Sequence, residues 1–307
     1  MVVDTNKVVD LRSKCPHFRV LIIGRANAGK TTLLKKVCNS IDDPQIFSPA
    51  GKKIDLAIVE GSAARGLHDI ENQVIFKSNP QFIFHDSRGF ESGSIDEAKK
   101  VKDFIARRAG SNRFSEQLHA IWYCFPTDTN RPLLKADEEF FDTNVPGKVP
   151  LIAIFTKFDG LLTKAFNRLK ANGSSRMEAK NLQGQHAQDI LNTDFIAPLM
   201  STKFCPSAYV RMDDMRKETS NCMDLIEKTA NTLTDDMLKL LFVSVQQNNI
   251  DLCIQFAVKV GLATSTELAL PFDYILLFFP HIWKVGVDTG AFHGSLLIWN
   301  HTGRGGE

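Results

Sequence analysis

No run in this 307-residue chain reaches the roughly 18 uncharged apolar residues that a membrane-spanning helix needs. An excess of one charge is missing too: 37 lysines and arginines balance 35 aspartates and glutamates, so no nucleic-acid partner is expected. The six cysteines (Cys15, Cys38, Cys124, Cys205, Cys222 and Cys253) form no CxxC pair, and none has a histidine at metal-ligand spacing. They read as reduced thiols, which excludes a disulfide framework or a zinc module. The opening "MVVDTNKVVD" has no h-region, and Val2 stands where myristoylation needs a glycine. The ending "GRGGE" carries no prenylation box. Repeats at solenoid periods and low-complexity blocks are also lacking. The expectation is a soluble, cytoplasmic protein.

Apolar residues make up 43% of the chain, enough for one large domain with an appendage or for two modest domains. Four short runs stand out: "VLII" (20–23), "FIF" (82–84), "AIWYCF" (120–125) and "LIAIF" (151–155). Each is continuously apolar rather than alternating, as expected of strands buried on both faces of a parallel sheet. Helix-like segments follow them, such as "SIDEAKKVKDFIARRAG" (94–110). The fold class predicted is α/β, with a mostly parallel, doubly wound sheet. "VIFKSNPQFIF" (74–84) reads as a hairpin joined at Ser-Asn-Pro-Gln, which adds one antiparallel strand. The polar insert 169–188 reads as a mobile loop or exposed helix. Boundaries are expected at 1–18 for an N-terminal arm, 19–215 for the main domain and 216–285 for a helical extension, with a Gly-rich flexible tail at 286–307. Helices are predicted in "NCMDLIEKTANTL", "TDDMLKLLFVSVQQ" and "NIDLCIQFAVKVG". "LALPFDYILLFFPHIW" (268–283), with Asp273 and two prolines, reads as a buried helical pair in preference to a membrane contact.

The chemistry concentrates where strands end. Gly24-Arg25-Ala26-Asn27-Ala28-Gly29-Lys30-Thr31 fits G-x-x-x-x-G-K-[ST] between a strand and a helix. Glycines there let successive backbone N–H groups point at phosphate oxygens, and the helix start adds its own donors. Lys30 would reach the β- and γ-phosphates, Thr31 would join a Mg²⁺ shell, and Thr32 would touch a phosphate nearer the sugar. In "FHDSRGF", Asp86 can hold Mg²⁺ through water, and the Gly89 N–H can meet a γ-phosphate. In "IFTKFDG", the Asp159 carboxylate can accept two hydrogen bonds from guanine but not from adenine. Thr156 and Lys157 belong to that box, and the Lys157 stem can lie over the base.

Taken in order, "GRANAGKT", "DSRG" and "TKFD" resemble the Ras-like P-loop GTPases over residues 19 to 215. Thr156 in place of asparagine and the long inserts look more like septin and immunity-type members. The resemblance implies a six-stranded G domain, GTP or GDP with Mg²⁺, and switch loops that respond to the γ-phosphate. It also implies a protein effector or a homodimer, engaged through those loops or the helical extension. Three departures stand out. No threonine lies between Thr32 and Thr127, which leaves Ser62 as the substitute Mg²⁺ hydroxyl, with Arg65 and His68 nearby. Phe90 follows Gly89 where a glutamine would orient water, so turnover is expected to be slow, with Arg88, His85 and Arg65 as internal catalytic candidates beside Lys30 and Ser62. No clear base-cupping "SAK" box is present, and Tyr209–Met212 reads as the last strand with Asp213–Met215 as the base-contacting loop. A GTP-binding scaffold with negligible hydrolysis is the alternative, and an ATP-binding protein of the same class a more distant one.

Overall fold

The computed structural model describes residues 14–54, 69–87, 95–143, 147–246 and 254. Its centre is an eight-stranded mixed sheet: β1 (Phe18–Gly24), β2 (Gln45–Phe47), β3 (Lys53–Ile54), β4 (Gln73–Phe76), β5 (Asn79–Asp86), β6 (Ala120–Pro126), β7 (Leu151–Thr156) and β8 (Ala208–Arg211). The strand order is β3-β2-β4-β5-β1-β6-β7-β8. From β5 to β8 every pairing is parallel, and those from β5 to β3 are antiparallel.

The four apolar runs are the inner strands β1, β5, β6 and β7. All seven residues of β1 and of β6 are buried, as strands covered on both faces require. Two expectations are corrected. The sheet has eight strands rather than six, because the segment after the first helix adds β2 and β3 at one edge. Two strands, β3 and β4, therefore run against the rest instead of one. The 74–84 hairpin is present, but its turn is Lys77–Ser78, and Asn79 already pairs with Phe76.

Helices lie on both faces. On one, α2 (Ile95–Ala109), α3 (Lys135–Phe141), α4 (Phe158–Ala171) and α5 (Arg176–Ile190) close a core built from Leu21, Ile121, Tyr123, Phe155, Phe104 and Leu161. On the other lie α1 (Lys30–Val37) and α7 (Met223–Thr232). Trp122 donates from Nε1 to Thr229 Oγ1 of α7 at 3.2 Å, and Lys36 of α1 donates to Lys217 O just ahead of α7. Of the two readings of the 169–188 insert, the exposed helix is the one found: it is the end of α4 followed by α5. Ser175 Oγ accepts from Glu178 N while Glu178 Oε2 accepts from Ser175 N, a reciprocal cap that starts a helix even where few residues are buried. A π-helical turn, Leu191–Ile196, carries α5 into α6 (Ala197–Met200).

The compact unit holding the sheet spans His17–Thr234, so it includes α7, which the sequence reading groups with the helical extension. A second unit takes in Asp235 onward, where Asp235 Oδ1 caps α8 (Asp236–Ser244) by accepting from Leu238 N at 2.9 Å. The third predicted helix (but for Ile254), the 268–283 stretch and the tail lie outside the described residues. Among the described residues, no helix is long and apolar enough to cross a membrane.

Candidate functional site

The site forms where β1, β5 and β7 end on the same edge of the parallel block. Gly24 closes β1 with φ 149°, and a Cβ there would lie 2.6 Å from the Cys124 carbonyl oxygen. Only glycine lets the chain leave the sheet so close to β6. Asn27 (φ 58°) and Gly29 (φ 80°) also take left-handed backbone, and Ala28 N donates to Arg25 O at 3.2 Å. Residues 25–29 thus curl back on themselves before α1 begins. Gly29 caps α1 without a side-chain acceptor, and its first turn holds no acidic residue. The first N–H groups and the positive end of the helix dipole are left to an external acceptor.

Lys30 folds back on this loop. Its Nζ donates to Gly24 O at 3.1 Å and Arg25 O at 3.2 Å, and stands 3.8 Å from Asp86 Oδ1. Asp86 ends β5 in register with Ile22 of β1, and Ser87 N donates to Ile22 O at 3.1 Å. The parallel pairing of β1 with β5 therefore sets the lysine and the aspartate side by side. Thr31 is exposed and Thr32 half-buried in the first turn of α1. The thiol of Cys124, close below Gly24, is pushed up to about 12 by burial and stays neutral.

The third box meets the first through Thr156. Its buried hydroxyl donates to Ala28 O at 2.8 Å, so β7 braces the loop directly. The same hydroxyl also lies 3.4 Å from Phe125 O of the adjoining strand β6. Lys157 follows in left-handed backbone (φ 58°) and its Nζ pairs with Asp128 Oδ2 at 3.0 Å. Gly160 packs so closely on Asp128 that a Cβ would lie 2.7 Å from the Asp128 Cβ.

A cavity of about 210 Å³ opens between these pieces, with Gly29 and Thr32 on one side, Lys157 and Asp159 on the next, and Asp213 and Arg216 on the third. Asp213–Met215, the expected base loop, does line it. Arg216 Nε donates to Asp214 Oδ1 at 2.9 Å, which holds that carboxyl below its ordinary range. With Asp128, Asp159, Asp213 and Asp214 in its walls, the cavity suits a ligand edge that donates hydrogen bonds.

The structure thus brings Gly29, Thr32, Thr156, Lys157 and Asp159 to one cavity, and sets Gly24, Asn27, Ala28, Lys30 and Thr31 in the loop and helix start beside it, with Asp86 facing Lys30. Ser62, Arg65, His68, Arg88, Gly89 and Phe90 lie outside the described residues. One candidate is corrected. His85 is fully buried within β5, with Nδ1 2.9 Å from Ile70 O and Nε2 3.3 Å from Arg19 Nη1. Burial, then the Arg19 and Arg108 charges, drive its pKa down to about 3, so it stays a neutral core residue. It is in no position to assist a reaction at the sheet's edge.

Four residues escaped the sequence reading: Asp128, Asp137, Arg216 and the structural role of Arg25. Asp128 had a usable signal, since it comes two residues after a buried strand that ends on the same edge as the other boxes. Comparison with known proteins gives no matching family model, and no curated protein matches the chain significantly.

Proposed function

We propose that this protein is a P-loop GTPase with a G-domain-like fold: it binds GTP or GDP with Mg²⁺, hydrolyses GTP slowly to GDP and phosphate, and works as a conformational switch. One observation carries the reading. The curled loop 24–29, with Lys30 3.8 Å from Asp86, abuts a cavity whose wall includes Asp159. A triphosphate on the loop would draw Lys30 off the two carbonyls and onto its β- and γ-oxygens. Its base would then fall where Asp159 accepts from guanine.

The donor set fits Mg²⁺ as a nucleotide-borne ion. Among the described residues no group of three or more His, Cys, Asp or Glu could hold a metal alone. The Thr31 hydroxyl and the Asp86 carboxylate, both hard oxygens, fit an ion that keeps waters and takes its remaining ligands from phosphate. Bound there, Mg²⁺ would neutralise charge between the β- and γ-phosphates. Ser62 as a third oxygen ligand, Gly89 as a γ-phosphate donor and Arg88 as a catalytic group complete the proposal from sequence.

Calorimetry with Mg²⁺ tests it. Guanine nucleotides should bind and adenine nucleotides should not compete. Lys30→Ala should weaken GDP binding by about two orders of magnitude, since it removes charge-assisted contacts of roughly 1.5–3 kcal/mol each. No heat with guanine nucleotides, or an affinity that Lys30→Ala leaves unchanged, would remove the basis of the reading.

A further inference from the structure

Arg25 holds a variable position of the G-x-x-x-x-G-K-[ST] pattern, where any residue is allowed. In the structure it is tied down through both Nη atoms. It is only 8% exposed, and its guanidinium makes three bonds. Nη1 donates to Arg131 O at 2.6 Å, while Nη2 donates to Pro132 O at 2.9 Å and to Asp137 Oδ2 at 2.8 Å. Asp137, 1% exposed, is itself fully engaged: Oδ1 accepts from Tyr123 OH at 2.6 Å and Oδ2 from Leu134 N at 2.8 Å. A buried ion pair of this kind adds little net stability over apolar residues of the same volume; its better-attested value is in fixing one arrangement.

What it fixes is the loop. The Arg25 carbonyl is the acceptor that closes the turn on Ala28 N and one of the two that hold Lys30 Nζ. The segment Arg25 grips is gripped at its other end as well. Thr127 Oγ1 donates to Thr156 O and Lys157 O, Lys157 pairs with Asp128, and Lys164 Nζ donates to Thr129 O and Asn130 Oδ1. Residues 127–137 therefore form a strap, pinned to the cavity wall by β7 and α4 and to the loop by Arg25.

We infer that Arg25 is a positioning residue: its latch on Asp137 and the 131–132 carbonyls fixes the 24–30 loop and Lys30 in the geometry that receives phosphates, and joins them to the base cavity through the 127–137 strap. The inference deepens the GTP reading and rests on it for its ligand, although the latch itself is independent of nucleotide.

The test uses the full chain. Arg25→Leu alone strands a buried carboxylate and is expected to unfold more readily, so the informative variant is Arg25→Met/Asp137→Asn. That pair removes both charges, and the asparagine amide keeps partners for Tyr123 and Leu134. Two quantities are read beside the melting temperature: affinity for a fluorescent GDP, and amide hydrogen exchange of the 24–31 peptide. With the melting temperature unchanged, affinity should fall about tenfold or more and the loop should exchange faster, because a loosened cradle must be reordered on binding. Arg25→Lys, which keeps the charge on Asp137 but has no fork, should recover part of the loss. Affinity within twofold of the wild type, with the same loop exchange, would overturn the inference. If the wild type binds no guanine nucleotide, the GTP reading falls and loop exchange alone decides the latch: faster in the double variant sustains it, unchanged refutes it.

Discussion

On the proposed reading Asp159 selects the base: of the four carboxylates in the cavity wall it is the one placed in the first turn of α4. Changing Asp159→Asn replaces one acceptor oxygen by a donor, which mismatches guanine and matches the extra carbonyl of xanthine. A bidentate pair is worth about 1–3 kcal/mol, so preference should move towards xanthine nucleotides by roughly tenfold to a hundredfold in competition binding. Unchanged guanine selectivity would remove Asp159 from the base contact. A different property resides in His85 and His119, both buried beside Arg19. Burial brings them down from 6.5 to about 3 and about 4 respectively. Their folded pKa values lie below the unfolded ones, so the unfolded chain binds more protons between those limits and stability rises with pH there. Full stability is expected above about pH 6.5, with progressive loss as pH falls towards 4. Urea midpoints measured across that range check it, and replacing His85 by a neutral isostere such as Asn should flatten the slope.

At the scale of elements, the junction of β1 with the loop is the most demanding place in the fold. A methyl group at Gly24 would meet the backbone oxygen of Cys124 at 2.6 Å, where no side chain can swing away. Gly24→Ala should therefore cost at least about 2 kcal/mol by chemical denaturation, more than ordinary overpacking at a site free to relax. Gly29, with open space around its α-carbon, should suffer mainly from its φ of 80° and lose less. The inner strands were legible in the sequence because burial on both faces leaves continuous apolar runs. β2 and β3 were not, since three- and two-residue strands carrying Gln45 and Lys53 offer no period. The sequence leaves α5 open between a loop and an exposed helix because, of its hydrophobes, only Ala179, Ala187 and Ile190 are buried; the signal that decides for the helix is the Ser175–Glu178 cap. His85 misled for a related reason: within a continuously buried strand the sequence does not say which way a side chain points. The three boxes could be read locally, each being contiguous. The latch from Arg25 to Asp137 spans 112 positions and leaves no mark in either segment alone.

The whole molecule bears on rate. A fast GTPase needs a residue that orients water and a cation to meet charge developing on the γ-phosphate. Phe90 stands where the first would be sought, and His85 is withdrawn into the core. The cations that the described residues bring to the loop and the cavity are already engaged: Arg25 by Asp137, Arg216 by Asp214 and Lys157 by Asp128. Releasing any of them to serve the phosphate would leave an aspartate without its partner, at a cost that grows with burial and is greatest for Asp137. Lys30 alone has neutral carbonyls as its closest partners and is free to exchange them for phosphate. On the proposed reading, one such cation with a metal would make a binding site with weak catalysis, because an orienting group and an arginine together are worth about 10³ to 10⁵ in rate. Single-turnover hydrolysis in dilute protein should run at or below about 10⁻³ per second. Repeating it at rising protein concentration divides the remaining readings: a rate that climbs means a second copy supplies the missing groups, and a rate that stays flat means a scaffold that holds GTP without spending it. Rapid hydrolysis at nanomolar protein would contradict both, and would mean that groups outside the described residues complete the site within one chain.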